Sequence, residues 1–168
     1  RLIPGLTLLR PADANETAQA WRMALTLNGP VALILTRQKL PVMELKNKVT
    51  EGVAQGCYVI IDSENPQAIL LATGSEVPLA LEAQNSLLKD GINTRVLSMP
   101  SRELFEQQSE DYRTKILLKD IPTVVIEAGV SLGWGSYVGT MGKVIAIDRF
   151  GASAPGHKVM EKLGLNIN

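Results

Sequence analysis

The sequence predicts an α/β protein with a mostly parallel sheet, on three observations. Short apolar runs alternate with segments of helical periodicity. Several of these runs show no polar alternation, which is typical of strands buried on both faces. Residues 68–99 join both features in one strand–helix–strand order, as expected of parallel strands connected by a right-handed crossover. Alternating elements of this kind define the α/β class.

Within this central unit, a Thr-Gly-Ser turn separates the first apolar run from a helix predicted over 76–89. Thr73 or Ser75 can cap that helix, and Thr73 with Glu76 has the spacing of a capping box. Gly91 follows the helix and can take the left-handed conformation that ends many helices. The second apolar run, 95–99, is then the parallel strand.

A second strand–helix–strand unit covers residues 6–36. Its first strand, 6–9, is followed by Asp13, which has Glu16 three residues on and so is a candidate helix cap. The helix, 14–27, is expected to present one face made of Thr17, Ala20, Trp21, Ala24 and Leu25. The run 31–35 is expected to be a parallel strand covered on both faces.

The periodic pattern fades after Lys39. We therefore predict three parts: residues 1–42 as the end of one domain, 43–56 as a linker, and 57–168 as a second domain. The second domain should form a three-layer, Rossmann-like fold. Its further strands are predicted over 57–62, 123–126 and 144–147, with short helices capped by Ser101 and Ser109 and a last helix over 157–163.

The composition of the chain excludes some classes of partner and indicates a compartment. Lys plus Arg equals Asp plus Glu at 17 each, which argues against a nucleic-acid partner. The apolar runs are far shorter than the roughly 20 residues that span a bilayer, so no membrane association is expected. Cys57 is the only cysteine, which fits a reducing cytosol. The chain begins at Arg1 with no initiator Met, and we expect a piece of a longer protein.

Three charged residues follow buried strands, at the edge where open α/β sheets place ligands. Arg37 follows the strand over 31–35, and its guanidinium can bind phosphate oxygens or form a surface salt bridge. Glu127 and Asp148 follow two later strands. They can form a carboxylate pair, or Asp148 can instead bind a neighbour such as Arg149 or cap a turn.

The remaining candidates have simpler interpretations. His157 is expected to be a surface histidine and Cys57 a small core residue, and together they provide too few ligands for zinc. The Thr-Gly-Ser turn at 73–75 can bind an anion or can be a tight turn. The glycine-rich stretch 129–142, with Trp134 and Tyr137, can wrap a ligand or another subunit, or can form a tight loop with a short helix.

The wording of several stretches resembles the C-terminal portion of the transketolase family, in the family's order and over essentially the whole chain. These stretches are Arg10-Pro-Ala-Asp-Ala-Asn-Glu16, Ala32-Leu-Ile-Leu-Thr-Arg-Gln38 with Leu40-Pro41, Ala72-Thr-Gly-Ser-Glu-Val77, Val96-Leu-Ser-Met-Pro-Ser101 with Glu103-Leu-Phe-Glu106, Glu127-Ala-Gly129 with Gly133-Trp134 and Tyr137-Val-Gly139, and Ile147-Asp-Arg-Phe-Gly-Ala-Ser-Ala-Pro-Gly156. The last stretch separates this family from related thiamine enzymes that share the architecture.

The resemblance implies transfer of a two-carbon ketol group from a ketose phosphate to an aldose phosphate. It implies thiamine diphosphate with Mg²⁺ or Ca²⁺, a homodimer and a cytoplasmic location. Residues 1–42 would be the tail of the pyrimidine-binding domain, and 57–168 the C-terminal domain. Arg37 matches the family's ligand for the sugar phosphate, whereas no catalytic, cofactor-binding or metal-binding residue carries over, and the piece alone is expected to be inactive.

Two other functions remain as alternatives. One is a regulatory α/β module without catalytic activity that binds a nucleotide or another anion at the 73–75 turn and the strand ends. The other is an architectural interaction domain.

Overall fold

The computed structural model describes residues 3–45 and 48–167. Residues 1, 2 and 168 of the predicted domains and residues 46 and 47 of the predicted linker lie outside the described residues. The strands are β1 Thr7–Leu9, β2 Val31–Leu33, β3 Tyr58–Ile61, β4 Ala68–Ala72, β5 Thr94–Ser98, β6 Thr123–Ile126 and β7 Lys143–Ile145. The helices are α1 Ala14–Thr26, α2 Lys48–Gln55, α3 Val77–Lys89, α4 Arg102–Glu106, α5 Glu110–Ile116, α6 Gly135–Val138 and α7 Gly156–Lys162.

These strands form two sheets. β1 and β2 pair in parallel, and the other five lie in the order β3-β5-β4-β6-β7. Every pair in the larger sheet is parallel except β3 with β5, where the edge strand runs antiparallel. The mostly parallel α/β fold predicted from the sequence is thus confirmed.

The larger sheet has a core on each face, which makes three layers. Alternate residues of β4 point to opposite sides: Leu70 packs in one cluster with Val77 and Ala80 of α3, and Leu71 in the other with Phe105 of α4 and Trp134. Because both faces are covered, the strand sequences are apolar without alternation.

Helix α3 begins differently from the prediction. Neither Thr73 nor Ser75 caps it through its side chain; a short 3₁₀ turn, Gly74–Glu76, precedes it, and Pro78 lies in its first turn. Its end is as predicted. Gly91 has φ of +76° and donates to the Leu88 carbonyl, while Ile92 donates to Leu87, which is a Schellman ending.

In the N-terminal unit, the Asp13 side chain caps α1 by accepting from the Glu16 amide at 2.8 Å, as predicted. The predicted apolar face is wrong in part: Ala20 is buried, but Trp21 is 54% exposed and Leu25 83%. They are not among the α1 residues that pack against β1 and β2, which are Ala20, Met23 and Ala24. The strand predicted over 31–35 ends at Leu33 and is only half-buried, because the described residues place a helix on one side of it alone.

The segment 43–56, predicted as a linker without periodicity, contains helix α2. Val49 and Val53 are spaced four residues apart and are both buried. Gly52 lies within this helix and serves close packing, because a Cβ there would lie 2.3 Å from Cγ of Tyr58. The division into domains at this segment stays a prediction.

The elements after β5 lie close to the positions predicted from the sequence, with bounds that differ by a few residues. Ser101 and Ser109 cap α4 and α5 as predicted, by accepting from the amides of Leu104 and Tyr112. β7 begins one residue before the predicted strand and ends at Ile145. The glycine-rich stretch forms a loop and the short helix α6. None of the described helices is long and apolar enough to cross a membrane.

Candidate functional site

Arg37 lies in the loop that follows β2, at the carboxyl end of the strand, as predicted. Its side chain is exposed and makes no hydrogen bond or ion pair with the residues that the structure describes. Beside it, the amide of Gln38 donates to the Thr36 hydroxyl at 3.0 Å and tightens the turn. The guanidinium is therefore available to a ligand.

An open cleft of about 540 Å³ lies next to this arginine. One wall is the turn that carries Arg37. The opposite wall belongs to the segment before α7 and to α7 itself, and its side chains are small or apolar. The lining residues are Thr36, Arg37, Gln38, Ala152, Ala154, Gly156, Val159 and Met160. A guanidinium beside small neutral side chains can bind an anion bidentately with room for the rest of the ligand.

The loop that carries Arg37, residues 34–43, is held at both ends. At its start, the Ile34 amide donates to the Leu9 carbonyl at 2.9 Å. At its end, the Met43 amide donates to the Asp13 carboxylate at 2.8 Å, and Asn15 donates to the Met43 carbonyl at 3.1 Å. Both attachments are to the segment 9–15 at the start of α1. We call residues 34–43 the Arg37 loop.

A second arginine, Arg10, lies at the carboxyl end of β1 and joins the two sheets. Its Nη1 lies 2.7 Å from Oε1 of Glu127 and 2.5 Å from Oε2 of Glu76, and it donates to the Thr73 carbonyl at 3.0 Å. Glu76 is fully buried and Glu127 is 3% exposed. Buried carboxylates need such a partner because desolvation of an unpaired charge is costly.

Arg10 and Glu76 were not predicted to be members of a cluster. For Glu76 the sequence predicted only a place in a capping box. The sequence shows only that Arg10 follows β1 and Glu127 follows β6; it does not show that these strands, which lie in different sheets, bring the two side chains together.

The turn at 73–75 does not offer an anion site. Arg10 covers it so closely that a Cβ at Gly74 would lie 2.7 Å from Cγ of Arg10. The Arg10 guanidinium already binds the carboxylates of Glu76 and Glu127 and is not available to an added anion. The alternative of a nucleotide-binding or anion-binding module is not favoured.

Glu16 is a further buried carboxylate between the two sheets. It accepts from the Ala12 amide at 2.7 Å, the Tyr58 hydroxyl at 2.8 Å and the Ser98 hydroxyl at 2.6 Å. Burial raises the pKa of Glu16 above its ordinary value of 4.5, and the three hydrogen bonds oppose that rise. Glu16 has capping-box spacing from Asp13, but its side chain accepts from the Ala12 amide and not from the amide of Asp13.

The other candidates predicted from the sequence do not line the Arg37 cleft. Glu127 and Asp148 do not form a carboxylate pair. Asp148 is exposed and accepts from the Ser131 amide at 2.8 Å, which lowers the pKa of its carboxyl and fits the predicted turn cap. His157 is on the surface, as expected. Cys57 is fully buried, and burial raises the pKa of its thiol, as fits a core residue.

Trp134 and Tyr137 of the glycine-rich stretch also serve the core. Their rings pack at 5.5 Å between centroids, and the Arg102 guanidinium lies 5.2 Å from the Trp134 ring. Tyr137 donates to Glu106 at 2.6 Å. The stretch therefore forms a tight loop with a short helix, and none of its residues lines the Arg37 cleft.

The fold agrees with comparisons to known proteins. Residues 56–166 match the family described as transketolase-like TK C-terminal domain, and residues 1–43 match the transketolase pyrimidine binding domain. The chain belongs to the transketolase family, as its C-terminal part.

Individual relatives give the same result. The transketolase of Geobacillus stearothermophilus is 49% identical over 173 residues, which cover 100% of this chain and 26% of the relative. The transketolase of Pichia stipitis in complex with sedoheptulose-7-phosphate superposes with a TM-score of 0.92 at 33% identity, over 99% of this chain and 24% of that one. The Leishmania mexicana enzyme gives 0.91 at 37% identity, over 98% and 24%. The chain thus spans about a quarter of the length of these relatives.

Proposed function

We propose that this chain is part of an enzyme that transfers a two-carbon ketol group from a ketose phosphate to an aldose phosphate. Its own contribution to the substrate site is Arg37, which binds the sugar phosphate. The observation that carries the proposal is an exposed guanidinium, with no partner among the described residues, beside an open cleft of about 540 Å³. The Pichia stipitis relative, which was solved with sedoheptulose-7-phosphate, supports the choice of ligand.

A phosphate dianion at Arg37 forms charge-assisted hydrogen bonds that a hydroxyl group cannot match. The contact positions the reacting end of the sugar without taking part in bond making. Arg37 therefore acts on affinity and orientation, and its contribution depends on the phosphate being present. This dependence separates phosphate binding from a structural role.

The family implies thiamine diphosphate, which supplies the carbanion chemistry of the reaction when it is bound. We propose that its metal is Mg²⁺ or Ca²⁺. Within residues 3–45 and 48–167, no three His, Cys, Asp or Glu side chains cluster as a metal site. The present donor set does not fit the cofactor's metal, so we assign no cofactor-binding or metal-binding residue here and expect the isolated chain to be inactive.

We also propose that the complete enzyme is a cytoplasmic homodimer. Exposed apolar side chains after β6 and around β7 support a protein contact there; they are Val130, Leu132, Met141 and Phe150, and Phe150 is 98% exposed. The buried thiol of the lone Cys57 supports a reducing compartment.

The test of the phosphate role is Arg37→Ala in the complete enzyme, assayed with a phosphorylated acceptor sugar and its unphosphorylated analogue. We expect kcat/KM to fall roughly 10- to 1000-fold for the phosphorylated sugar, as for loss of about 1.5–4 kcal/mol of charge-assisted binding. The unphosphorylated sugar should change little. An equal fall for both sugars, or no fall, would reject Arg37 as the phosphate ligand.

A further inference from the structure

We propose that Arg10 is a positioning residue for Arg37, an inference that rests on the proposed phosphate-binding role of Arg37. Arg10 does not line the Arg37 cleft. Its place is between the carboxyl ends of β4 and β6 and the segment that holds the Arg37 loop. Through the segment 9–15, Arg10 determines the position of the Arg37 guanidinium.

The first step is the attachment of Arg10 itself. Its amide donates to the Pro100 carbonyl at 2.8 Å, and its guanidinium binds Glu76, Glu127 and the Thr73 carbonyl. All three partners contact the same nitrogen, Nη1, and the donor group is planar and rigid, which leaves this side chain little freedom. The backbone at Arg10 is therefore fixed to the larger sheet.

The second step leads from Arg10 to the Arg37 loop. The residue before Arg10, Leu9, accepts from Ile34, where the loop begins. Two small clefts, of about 280 and 230 Å³, are each lined by both Arg10 and Ile34. The other end of the loop, Met43, is bound by Asp13 and Asn15, which lie just beyond Arg10.

The third step concerns Arg37 itself. Because its side chain has no hydrogen bond or ion pair within the described parts of the chain, its position is set by the backbone of its loop. Both ends of that loop attach to the segment 9–15. Loss of the Arg10 side chain would remove its contacts with Glu76, Glu127 and Thr73 and loosen this segment against the larger sheet, so that the loop could shift. A misplacement of about 1 Å can cost up to about 100-fold in rate.

Arg95 provides a matched control for the general effect of losing a largely buried arginine side chain. Arg95 binds Asp62 through two nitrogens, at 2.8 and 2.9 Å, and donates to the Lys115 carbonyl at 2.7 Å. Arg95 is near the amino end of β5, whereas Arg10 is near the carboxyl ends of β4 and β6. Arg95→Ala should destabilise the fold without moving the Arg37 loop.

The experiment measures kcat and KM of the complete enzyme with a phosphorylated acceptor sugar and with its unphosphorylated analogue. The variants are Arg10→Ala, Arg10→Lys, Arg37→Ala, Arg95→Ala and the double variant Arg10→Ala with Arg37→Ala. We expect Arg10→Ala to raise KM for the phosphorylated sugar by about 10-fold, and Arg10→Lys to restore part of the loss. The unphosphorylated sugar should change by less than about two-fold. If Arg10→Ala does not fold, Arg10→Lys serves as the test. It should raise KM by a smaller factor, again for the phosphorylated sugar and not for the unphosphorylated one.

The double variant separates a positioning role from an independent one. If Arg10 acts through Arg37, its substitution should add nothing once Arg37 is gone. Fully additive effects, or equal losses with both sugars as expected for Arg95→Ala, would overturn the inference while leaving Arg37 as the phosphate ligand. A non-selective Arg37→Ala would instead reject the proposed function, and the inference with it.

Discussion

The two sheets of this molecule contain similar apolar strands but bury them to different extents. In β4 of the five-stranded sheet, Ile69 and Leu71 are fully buried and Leu70 is 5% exposed. The run that begins with β2 of the two-stranded sheet is equally apolar, yet Ile34 is 48% exposed and Leu35 51%. The difference lies in the layers around the strands.

The five-stranded sheet has its own helices on both faces, with α3 on one side and α4 to α6 on the other. For β1 and β2, the described residues supply α1 on one side and contacts with Leu104 of α4. An apolar run therefore predicts a strand, but it predicts burial only where the same chain also provides both covering layers.

The largest expected effect tests this contrast directly. Leu71→Ala should lower the free energy of unfolding of the 168-residue chain by about 2–5 kcal/mol, because it leaves a cavity in the core. Ile34→Ala, a truncation of similar size at a half-exposed position, should change it by about 0.5 kcal/mol or less. Denaturant unfolding measures both. Similar losses for the two variants would mean that the Arg37 loop is as well packed as the central strand.

The same contrast explains how much the sequence could predict. The βαβ order, the caps Asp13, Ser101 and Ser109, and the turn at Gly91 are local signals, and all are observed. Burial of Trp21 and Leu25 depends on non-local layers, and here the prediction was wrong.

For the site, the position of Arg37 at a strand end followed from the sequence, whereas its phosphate ligand stays a proposal. The cluster of Arg10 with Glu76 and Glu127 could not be predicted, because its members are far apart in the sequence. Only the packing of the two sheets brings them together. Helix α2 was missed for a related reason: Gly52 indicates a break locally and close packing only in three dimensions.

The contact of helix α2 with strand β3 gives the next expected effect. Gly52→Ala would place a Cβ 2.3 Å from the ring of Tyr58, which is buried and bonded to Glu16 at 2.8 Å, so the ring has little room to move. We expect a loss of about 1–3 kcal/mol in the free energy of unfolding.

Gly135→Ala is the matched control for this substitution. A Cβ at Gly135 would meet no atom within 4 Å, and Ala there should stabilise the folded chain by about 0.4–1 kcal/mol because it restricts the unfolded chain more than Gly does. Thermal unfolding should therefore shift in opposite directions for the two variants. A neutral Gly52→Ala would show that α2 packs more loosely on β3 than the structure indicates.

The smallest expected effect concerns Glu16, which lies between the two sheets and changes stability with pH. Its folded-state pKa is raised above 4.5, so the folded protein binds a proton more tightly than the unfolded chain does. The contribution of Glu16 to stability is therefore greatest below pH 4.5 and is lost as the pH rises through the folded-state pKa. Part of the decline in stability above that pH should come from this one residue.

Glu16→Gln removes the titrating group. It keeps an oxygen for the Tyr58 and Ser98 hydroxyls but loses the acceptor for the Ala12 amide, so at acid pH it should be less stable by about 1 kcal/mol. As the pH rises, the variant should lose less stability than the wild type, and the gap between them should narrow.

Ser98→Ala is the converse variant: without a hydroxyl that lowers the pKa of Glu16, the decline in stability with pH should steepen. Parallel curves for all three proteins, measured by urea unfolding from pH 4 to pH 8, would show that Glu16 does not titrate there and that its carboxylate stays charged within the contact between the two sheets.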